Sequence, residues 1–114
     1  MNKIEIRDER GQGRIEARTG GEVVGRIDYF TLDAPARALV AVHTVVEPAH
    51  EGQGIAGALA RELYVIAGRE DAAVVPLCPY VARWAERHPD EAPAATPALT
   101  TAARERLASE PDKW

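Results

Sequence analysis

The feature that most constrains this fold is a glycine-rich turn between an apolar run and an amphipathic helix. The run, 38–46, is rich in valine, as a central strand covered on both faces would be. The turn is Glu51-Gly52-Gln53-Gly54-Ile55-Ala56-Gly57, and apolar residues then recur at helical spacing at Ile55, Leu59, Leu63 and Ile66. Glycines let the backbone approach a ligand closely, and the first N–H groups of a helix lack partners within it. This order predicts an anion site, with a pyrophosphate as its natural ligand.

Alternating polarity places four strands in the first half of the chain, over 3–7, 14–18, 22–31 and 38–46. Gly20-Gly21 is a hairpin turn, and the change of phase after Val24 indicates a bulge at Gly25. The second half predicts a helix over 52–68 that is capped by Gly68, a strand over 72–77, and a short helix from Pro79 to Pro89. We therefore predict an α/β fold of the α+β type, with a mixed, mostly antiparallel sheet and two helices.

The 114 residues have room for one hydrophobic core, which we assign to a domain over 1–90. After Pro89 the composition drifts to alanine, proline and charge. We expect 91–114 to be a tail with a loop and a weak helix over 101–109, packed late or not at all.

Charge and composition narrow the classes of function. The net charge of −4 argues against nucleic acid as a partner, because such binding needs a basic face. No apolar run approaches the roughly 20 residues that cross a bilayer, and 1–10 lacks the apolar core of a signal peptide. We therefore expect a cytoplasmic protein without a membrane partner. The single cysteine excludes an intrachain disulfide, and the spacing of the three histidines predicts no metal site.

Three phosphate-binding interpretations of the turn compete with a fourth in which it holds no ligand. Gly52, Gly54 and Gly57 satisfy the dinucleotide pattern G-x-G-x-x-G, but that fold places the turn near the start of a larger parallel sheet, not after four strands. A P-loop requires Gly-Lys-Ser/Thr, whereas this chain has Gly57-Ala58-Leu59. The third interpretation, the coenzyme A turn of acyltransferases, agrees best with the strand order.

Three segments of the chain carry a more specific signal. They are His43-Thr44-Val45-Val46, Glu51-Gly52-Gln53-Gly54-Ile55-Ala56 and Val75-Pro76-Leu77-Cys78-Pro79-Tyr80-Val81. In content and order they resemble the GCN5-related N-acetyltransferase superfamily, and more closely its short, single-domain branch. The second segment matches the family's pyrophosphate motif, Arg/Gln-x-x-Gly-x-Gly/Ala, except that Glu51 stands at its first position. The resemblance covers roughly residues 4–90.

The resemblance implies an acyl-CoA N-acyltransferase fold with acetyl-CoA as co-substrate. Because Glu51 is a carboxylate, the pyrophosphate would be bound mainly by the N–H groups of Gln53, Gly54, Ile55, Ala56 and Gly57. The pantetheine and the thioester oxygen would be bound by backbone N–H groups of Thr44, Val45 and Val46, on a strand splayed from its neighbour. Typical members also build an acceptor pocket from an N-terminal helical pair. The short connections at 8–13 and 20–21 leave no room for that pair, which favours a large acceptor.

Three residues are candidates for catalysis. Cys78 precedes Pro79 and is expected at or beside the N-cap of the second helix, where the helix favours a nucleophilic thiolate. His43 lies in the middle of the central strand and is a candidate for a Cys–His pair or for the base on the acceptor. Tyr80 resembles the tyrosine with which many family members protonate the leaving thiolate. The packing alternatives are a small buried hydrophobe for Cys78, a hydrogen-bonded core residue for His43 and a Trp84 contact for Tyr80.

Weaker candidates surround these three. Glu47 ends the central strand and is a candidate general base. His50 adjoins the turn and is a candidate hydrogen-bond donor to the phosphates. On the polar face of the second helix, the candidates for contact with the 3′-phosphate of coenzyme A are Arg83, Arg87 and His88. For each of them a capping or solvated role is the favoured explanation. The sequence predicts an acetyl-CoA-dependent N-acetyltransferase that acts on an amine, with protein amines among the candidates. The alternative is an acetyl-CoA-binding module with little or no turnover, acting as a sensor or partner subunit.

Overall fold

Five strands form one sheet whose spatial order follows the chain. The computed structural model describes residues 3–110, so residues 1–2 and 111–114, at the ends of the predicted domain and tail, lie outside the described residues. The strands are β1 (Glu5–Glu9), β2 (Arg14–Thr19), β3 (Glu22–Leu32), β4 (Ala38–Val46) and β5 (Ala73–Pro76). The first four pair antiparallel, and β4 pairs parallel with β5 because the helix α1 (Ile55–Arg69) connects them. The predicted mixed, mostly antiparallel sheet is confirmed.

Each face of the sheet carries its own apolar cluster. On one face α1 and α2 (Pro79–Arg87) pack through Ile55, Leu59, Leu63, Val81 and Trp84 against residues of β2, β3 and β4. The other face is covered in part by α3 (Pro97–Ser109), whose Leu99 and Ala103 are buried. The predicted count of two helices was therefore wrong, and the weak helix expected over 101–109 is part of a longer helix with two buried residues. Residues four positions apart on α3 fit the apolar patch that Val40 and Val75 present, and this helps to anchor the third helix.

Some predicted boundaries differ from those in the structure. α1 begins at Ile55 and not at Gly52, because Gly52 and Gly54 have positive φ and form the turn before it. Gly68 is not its C-cap, since the helix continues to Arg69 and the left-handed residue beyond it is Asp71, with φ +53°. β1 begins two residues later than expected.

Two bulges shape the sheet. The predicted bulge lies one residue before Gly25, because Ala17 pairs with Gly25 and Arg18 with Val23, which leaves Val24 as the extra residue. A second, unpredicted bulge lies in β4. Tyr29 pairs with Ala41 and Asp28 with His43, so Val42 is the extra residue there. A bulge changes which backbone groups face each neighbouring strand, and the one at Val42 matters for the candidate site.

A charged network fastens the first strand to the end of α1. The Arg10 guanidinium donates to both carboxylate oxygens of Glu70, at 2.8 and 2.7 Å, and its Nε donates to the Tyr29 hydroxyl. Arg10 thereby lowers the pKa of the Glu70 carboxyl. Burial, together with a hydrogen bond to Asp8, raises the pKa of Tyr29 to about 12. Within residues 3–110, no helix combines the length and apolar character needed to span a membrane.

Candidate active site

The glycine turn is open to solvent. A short 3₁₀ turn, Pro48–His50, leads into it, and Gly52 and Gly54 hold left-handed φ values of +81° and +78°. A Cβ atom added at either glycine would meet nothing within 4 Å. Gly54 is the N-cap of α1 and supplies no side-chain cap. The glycine turn that the sequence predicts between β4 and the long helix is therefore present, and 51–54 are exposed.

Several backbone amides at this turn lack helical partners. The first helical hydrogen bond runs from the Ala58 N–H to the Gly54 carbonyl, at 3.0 Å. The N–H groups of Ile55, Ala56 and Gly57 come before it and have no carbonyl within the helix to bond. The positive end of the helix dipole lies at the same place. This arrangement suits a phosphate or pyrophosphate.

The start of α1 is held close to the sheet. The Ile55 side chain is buried in the core, and a Cβ on Gly25 would lie only 2.9 Å from its Cγ2 atom. Gly25 therefore has a second role that the sequence analysis missed: it lets the first residue of α1 approach β3. A glycine inside a strand pattern is the available signal, since it marks either a bulge or a close approach.

The edge of β4 beside the turn is unpaired. The β4–β5 ladder ends at Ala41 and Pro76, and the Ala41 carbonyl accepts from the N–H groups of both Leu77 and Cys78, at 3.0 Å each. The Glu47 N–H donates to Val24 of β3, at 2.8 Å. Because backbone groups alternate along a strand, those of Val45 also face β3, and those of Thr44 and Val46 face the gap beyond β5.

The cysteine thiol lies at the same gap. Cys78 is the N-cap of α2, as predicted, and its side chain is 4% exposed. The thiol does not cap the helix; Cys78 Sγ instead lies 3.2 Å from Thr44 Oγ1, and either atom can be the donor. Thr44 therefore brings both a backbone and a side-chain group to the gap. The sequence analysis proposed only the backbone N–H of Thr44 as a binding group.

The structure does not bring His43 and Cys78 together. His43 is opposite Asp28 in the ladder, whereas Thr44 is opposite Ile27, a residue of the main core. Neighbours in a strand project to opposite faces, so His43 projects from the face away from α1. The expected Cys–His pair is therefore corrected to a Cys–Thr contact. The bulge at Val42 determines which of the two residues faces Cys78, and the spacing of residues in the sequence did not reveal this bulge.

Tyr80 lies against the first turn of α1. The Tyr80 hydroxyl oxygen and the Trp84 indole nitrogen each lie 3.6 Å from the point where a Gly57 Cβ would stand. The small residue at position 57 thus lets two polar atoms of α2 approach the open helix start. Tyr80 is 40% exposed, so its hydroxyl remains available at the surface.

The remaining candidates divide by environment. His88 bonds the Trp84 carbonyl through Nδ1, at 2.8 Å, and stacks on the Trp84 ring. Arg83, Arg87, Glu47 and Glu51 are exposed. His50 has a buried Nδ1 that bonds no described residue.

The sequence analysis did not identify the contacts of Arg61 beside α2. Its guanidinium lies over the Trp84 ring and bonds Glu91 at 2.7 Å, which lowers the pKa of that carboxyl. Within residues 3–110, the structure has no cluster of three metal-ligating side chains.

Comparison with known proteins agrees with this geometry. A family model described as GCN5-related N-acetyl-transferase matches residues 14–94. No curated protein sequence matches the chain. Among solved structures, a ribosomal-protein-alanine N-acetyltransferase from Brucella melitensis biovar Abortus 2308 is similar, with 30% identity, a TM-score of 0.56, and coverage of 72% of this chain and 63% of that one.

An aminoglycoside acetyltransferase from an uncultured soil metagenomic sample has 25% identity and a TM-score of 0.48, over 54% of this chain and 43% of its own. This chain thus spans less than two thirds of the length of either protein. The family match covers well over half of the chain and includes the turn, the β4 edge and Cys78. The chain belongs to the GCN5-related N-acetyltransferase family.

Proposed function

We propose that this protein is an N-acetyltransferase that uses acetyl-CoA and acts on an exposed amine of a protein. The observation that carries the proposal is the open glycine turn beside the unpaired edge of β4. The amides at 55–57 suit a diphosphate, and the free backbone groups of Thr44 and Val46 suit the amide-containing arm that follows it.

The residues that would hold acetyl-CoA follow from this arrangement. The N–H groups of Gln53, Gly54, Ile55, Ala56 and Gly57 bind the pyrophosphate, and those of Thr44, Val45 and Val46 are the candidates for the pantetheine and the thioester oxygen. Of these three, Thr44 and Val46 fit best, because the backbone of Val45 faces β3. When bound, acetyl-CoA supplies an activated acetyl group. The exposed Glu51 side chain can turn away from the phosphates.

Two routes for the acetyl group are consistent with the geometry. In the covalent route, Cys78 Sγ bonds the acetyl carbon while the thioester C–S bond breaks, and the thiol proton passes to the departing sulfur. The acceptor amine then takes the acetyl group and returns a proton to Sγ. In the direct route the amine nitrogen bonds the acetyl carbon without Cys78, and the thioester C–S bond breaks. His43 takes the amine proton, Tyr80 gives its proton to the departing sulfur, and solvent then carries a proton from His43 back to Tyr80. His43 is available only to an amine that approaches from the face opposite to Cys78.

The open acceptor side favours a large substrate. The connection between β1 and β2 is a three-residue 3₁₀ turn, Arg10–Gln12, so the described chain lacks at this connection the helical pair with which typical family members build an acceptor pocket. The similar protein from Brucella is named for an acceptor on a ribosomal protein. A chain end or a lysine of a protein therefore suits this molecule better than a small enclosed amine.

The test is the variant Gly54→Asp, with Gly21→Asp as its matched control. Both glycines have strongly positive φ, +78° and +84°, and open space around the position of Cβ, so both substitutions cost similar backbone strain. Only Gly54→Asp adds a carboxylate at the helix N-terminus, where it competes with phosphate. We expect calorimetry to show loss of coenzyme A binding in Gly54→Asp and unchanged binding in Gly21→Asp. Equal binding by both folded variants would refute the assignment of the turn.

A second candidate function is a binding module with little turnover, favoured by the short β1–β2 connection, which does not contain the helical pair that builds the acceptor pocket in typical members. Intact mass after incubation with acetyl-CoA separates the possibilities. Acetylation that is lost in Cys78→Ala supports the covalent route. Turnover that survives Cys78→Ala but falls in His43→Gln and Tyr80→Phe supports the direct route. Tight coenzyme A binding with neither acetylation nor turnover on an amine panel supports the module.

A further inference from the structure

An apolar cleft of about 500 Å³ lies at the outer edge of β5, between α2 and α3. The end of β5, 75–77, contributes to one side, and the 89–95 segment, which contains two prolines and three alanines, contributes to another. Alanines 82 and 85 of α2 leave space that larger side chains would fill. The volume is within the usual range of small-molecule sites. None of the lining residues belongs to the candidate active site.

A largely buried tyrosine lines the cleft. Tyr64 of α1 is only 8% exposed, and its ring stacks on Trp84 with centroids 5.8 Å apart. Its hydroxyl makes no hydrogen bond with any residue in the described part of the chain. Burial alone raises the pKa of Tyr64 to about 12, so the hydroxyl stays neutral and able to donate at physiological pH. A polar atom of a ligand in the cleft would give this hydroxyl a hydrogen-bond partner in place of solvent.

Two charged side chains line the cleft, and the guanidinium is the one that suits an anionic ligand end. Arg104 of α3 and Glu86 of α2 both line the cleft, and neither forms an ion pair within residues 3–110. Arg104 supplies a guanidinium and Tyr64 a hydroxyl as hydrogen-bond donors, and Glu86 supplies a carboxylate as an acceptor. A guanidinium pairs with a carboxylate through strong, charge-assisted hydrogen bonds.

From this combination we infer that the cleft binds a small carboxylic acid with an apolar body. Arg104 pairs with the carboxylate, the alanine and proline side chains cover the body, and Tyr64 bonds a polar atom at the buried end. This site is separate from the coenzyme turn and does not depend on the proposed function.

The test titrates the full-length, ¹⁵N-labelled protein without coenzyme A, using 3-(4-hydroxyphenyl)propionate as the probe to roughly 10 mM. Amide shifts should concentrate at 75–77, 82–86 and 100–104. Arg104→Gln should weaken binding about tenfold, the size expected for one charge-assisted hydrogen bond. Arg106→Gln, on the same helix but outside the cleft, should not change it. The neutral probe 3-phenylpropanol should bind weakly and equally to both variants.

Two further variants test the body and the buried end. Ala82→Leu should fill the cleft and abolish the shifts, and Ala94→Leu in the 89–95 segment serves if that variant does not fold. Tyr64→Phe should lower the affinity for 3-(4-hydroxyphenyl)propionate several-fold and leave the affinity for 3-phenylpropionate unchanged. The inference is overturned if no cleft amide shifts, if Arg104→Gln and Arg106→Gln behave alike, or if 3-phenylpropylamine binds more tightly than the carboxylates.

Discussion

The close approach of α1 to β3 at Gly25 makes a quantitative prediction. In Gly25→Ala, the new methyl group would stand 2.9 Å from Ile55 Cγ2, about 0.5 Å short of ordinary contact, which begins at 3.4 Å. Cγ2 is bonded directly to Cβ, and a β-branched side chain in a helix has one strongly preferred rotamer, so it does not swing aside. The helix start must therefore move, and the carbonyl of Val45, at 3.4 Å, limits the opposite direction.

The expected cost is the difference between two effects. Overpacking a core costs about 1–3 kcal/mol, and replacing a strand glycine returns roughly 0.5–1 kcal/mol of conformational entropy. We expect Gly25→Ala to lower the free energy of unfolding by about 1–2 kcal/mol, measured by urea denaturation with far-UV circular dichroism. Gly68→Ala is the matched control. Gly68 lies inside α1 with nothing within 4 Å of its Cβ position, so the same change should stabilise the protein by about 0.5 kcal/mol.

A double-mutant cycle shows whether the Ile55 contact causes the loss. Ile55→Ala removes Cγ2 and by itself costs about 2–5 kcal/mol. In that background, Gly25→Ala should cost at least ~1 kcal/mol less than it does in the wild type. If Gly25→Ala is as stable as the wild type, or if its cost is unchanged beside Ile55→Ala, the proposed steric role of Gly25 is wrong. If the turn binds a diphosphate as proposed, Gly25→Ala should also weaken the binding of coenzyme A, because the backbone amides at 55–57 move with the start of α1.

Two other predictions concern the packing of the first and last elements. Arg10 lowers the pKa of Glu70, so the ionised carboxylate stabilises the fold above the usual glutamate pKa, and this stability is lost as pH falls through the lowered value. Because the pair is partly exposed, Glu70→Gln should cost no more than about 1 kcal/mol at pH 7, and this cost should shrink as the pH falls below the usual glutamate pKa; a cost that does not change with pH would exclude the linkage. Leu99→Ala should cost about 2–4 kcal/mol in urea denaturation if α3 is docked as observed, and a change below ~0.5 kcal/mol would show that it is not.

α3 shows why part of the fold escaped prediction. Its helix has little apolar periodicity, since Thr, Arg and Ala occupy most positions and only Leu99 and Ala103 are fully buried. A local signal was present: Thr96 is the N-cap, its hydroxyl accepts from the Leu99 N–H at 3.2 Å, and Pro97 occupies the first turn. Whether such a helix docks depends on the patch it meets on the sheet, and that patch exists only after β3, β4 and β5 have paired.

Local signals in the sequence specify the five strands, the helices α1 and α2, the glycine turn at the start of α1, and Cys78 at the N-terminus of α2. Each follows from periodicity or from the allowed backbone angles of a few adjacent residues. Tertiary structure alone decided which side chains share a face. Because Val42 is an extra residue in β4, the side chain that contacts Cys78 is that of Thr44 and not that of His43. The packing of α2 and α3 beside β5 forms the cleft that Tyr64 lines. Strand register is set by pairing between distant segments, so a one-residue shift that no local pattern reveals exchanges the two faces of a sheet.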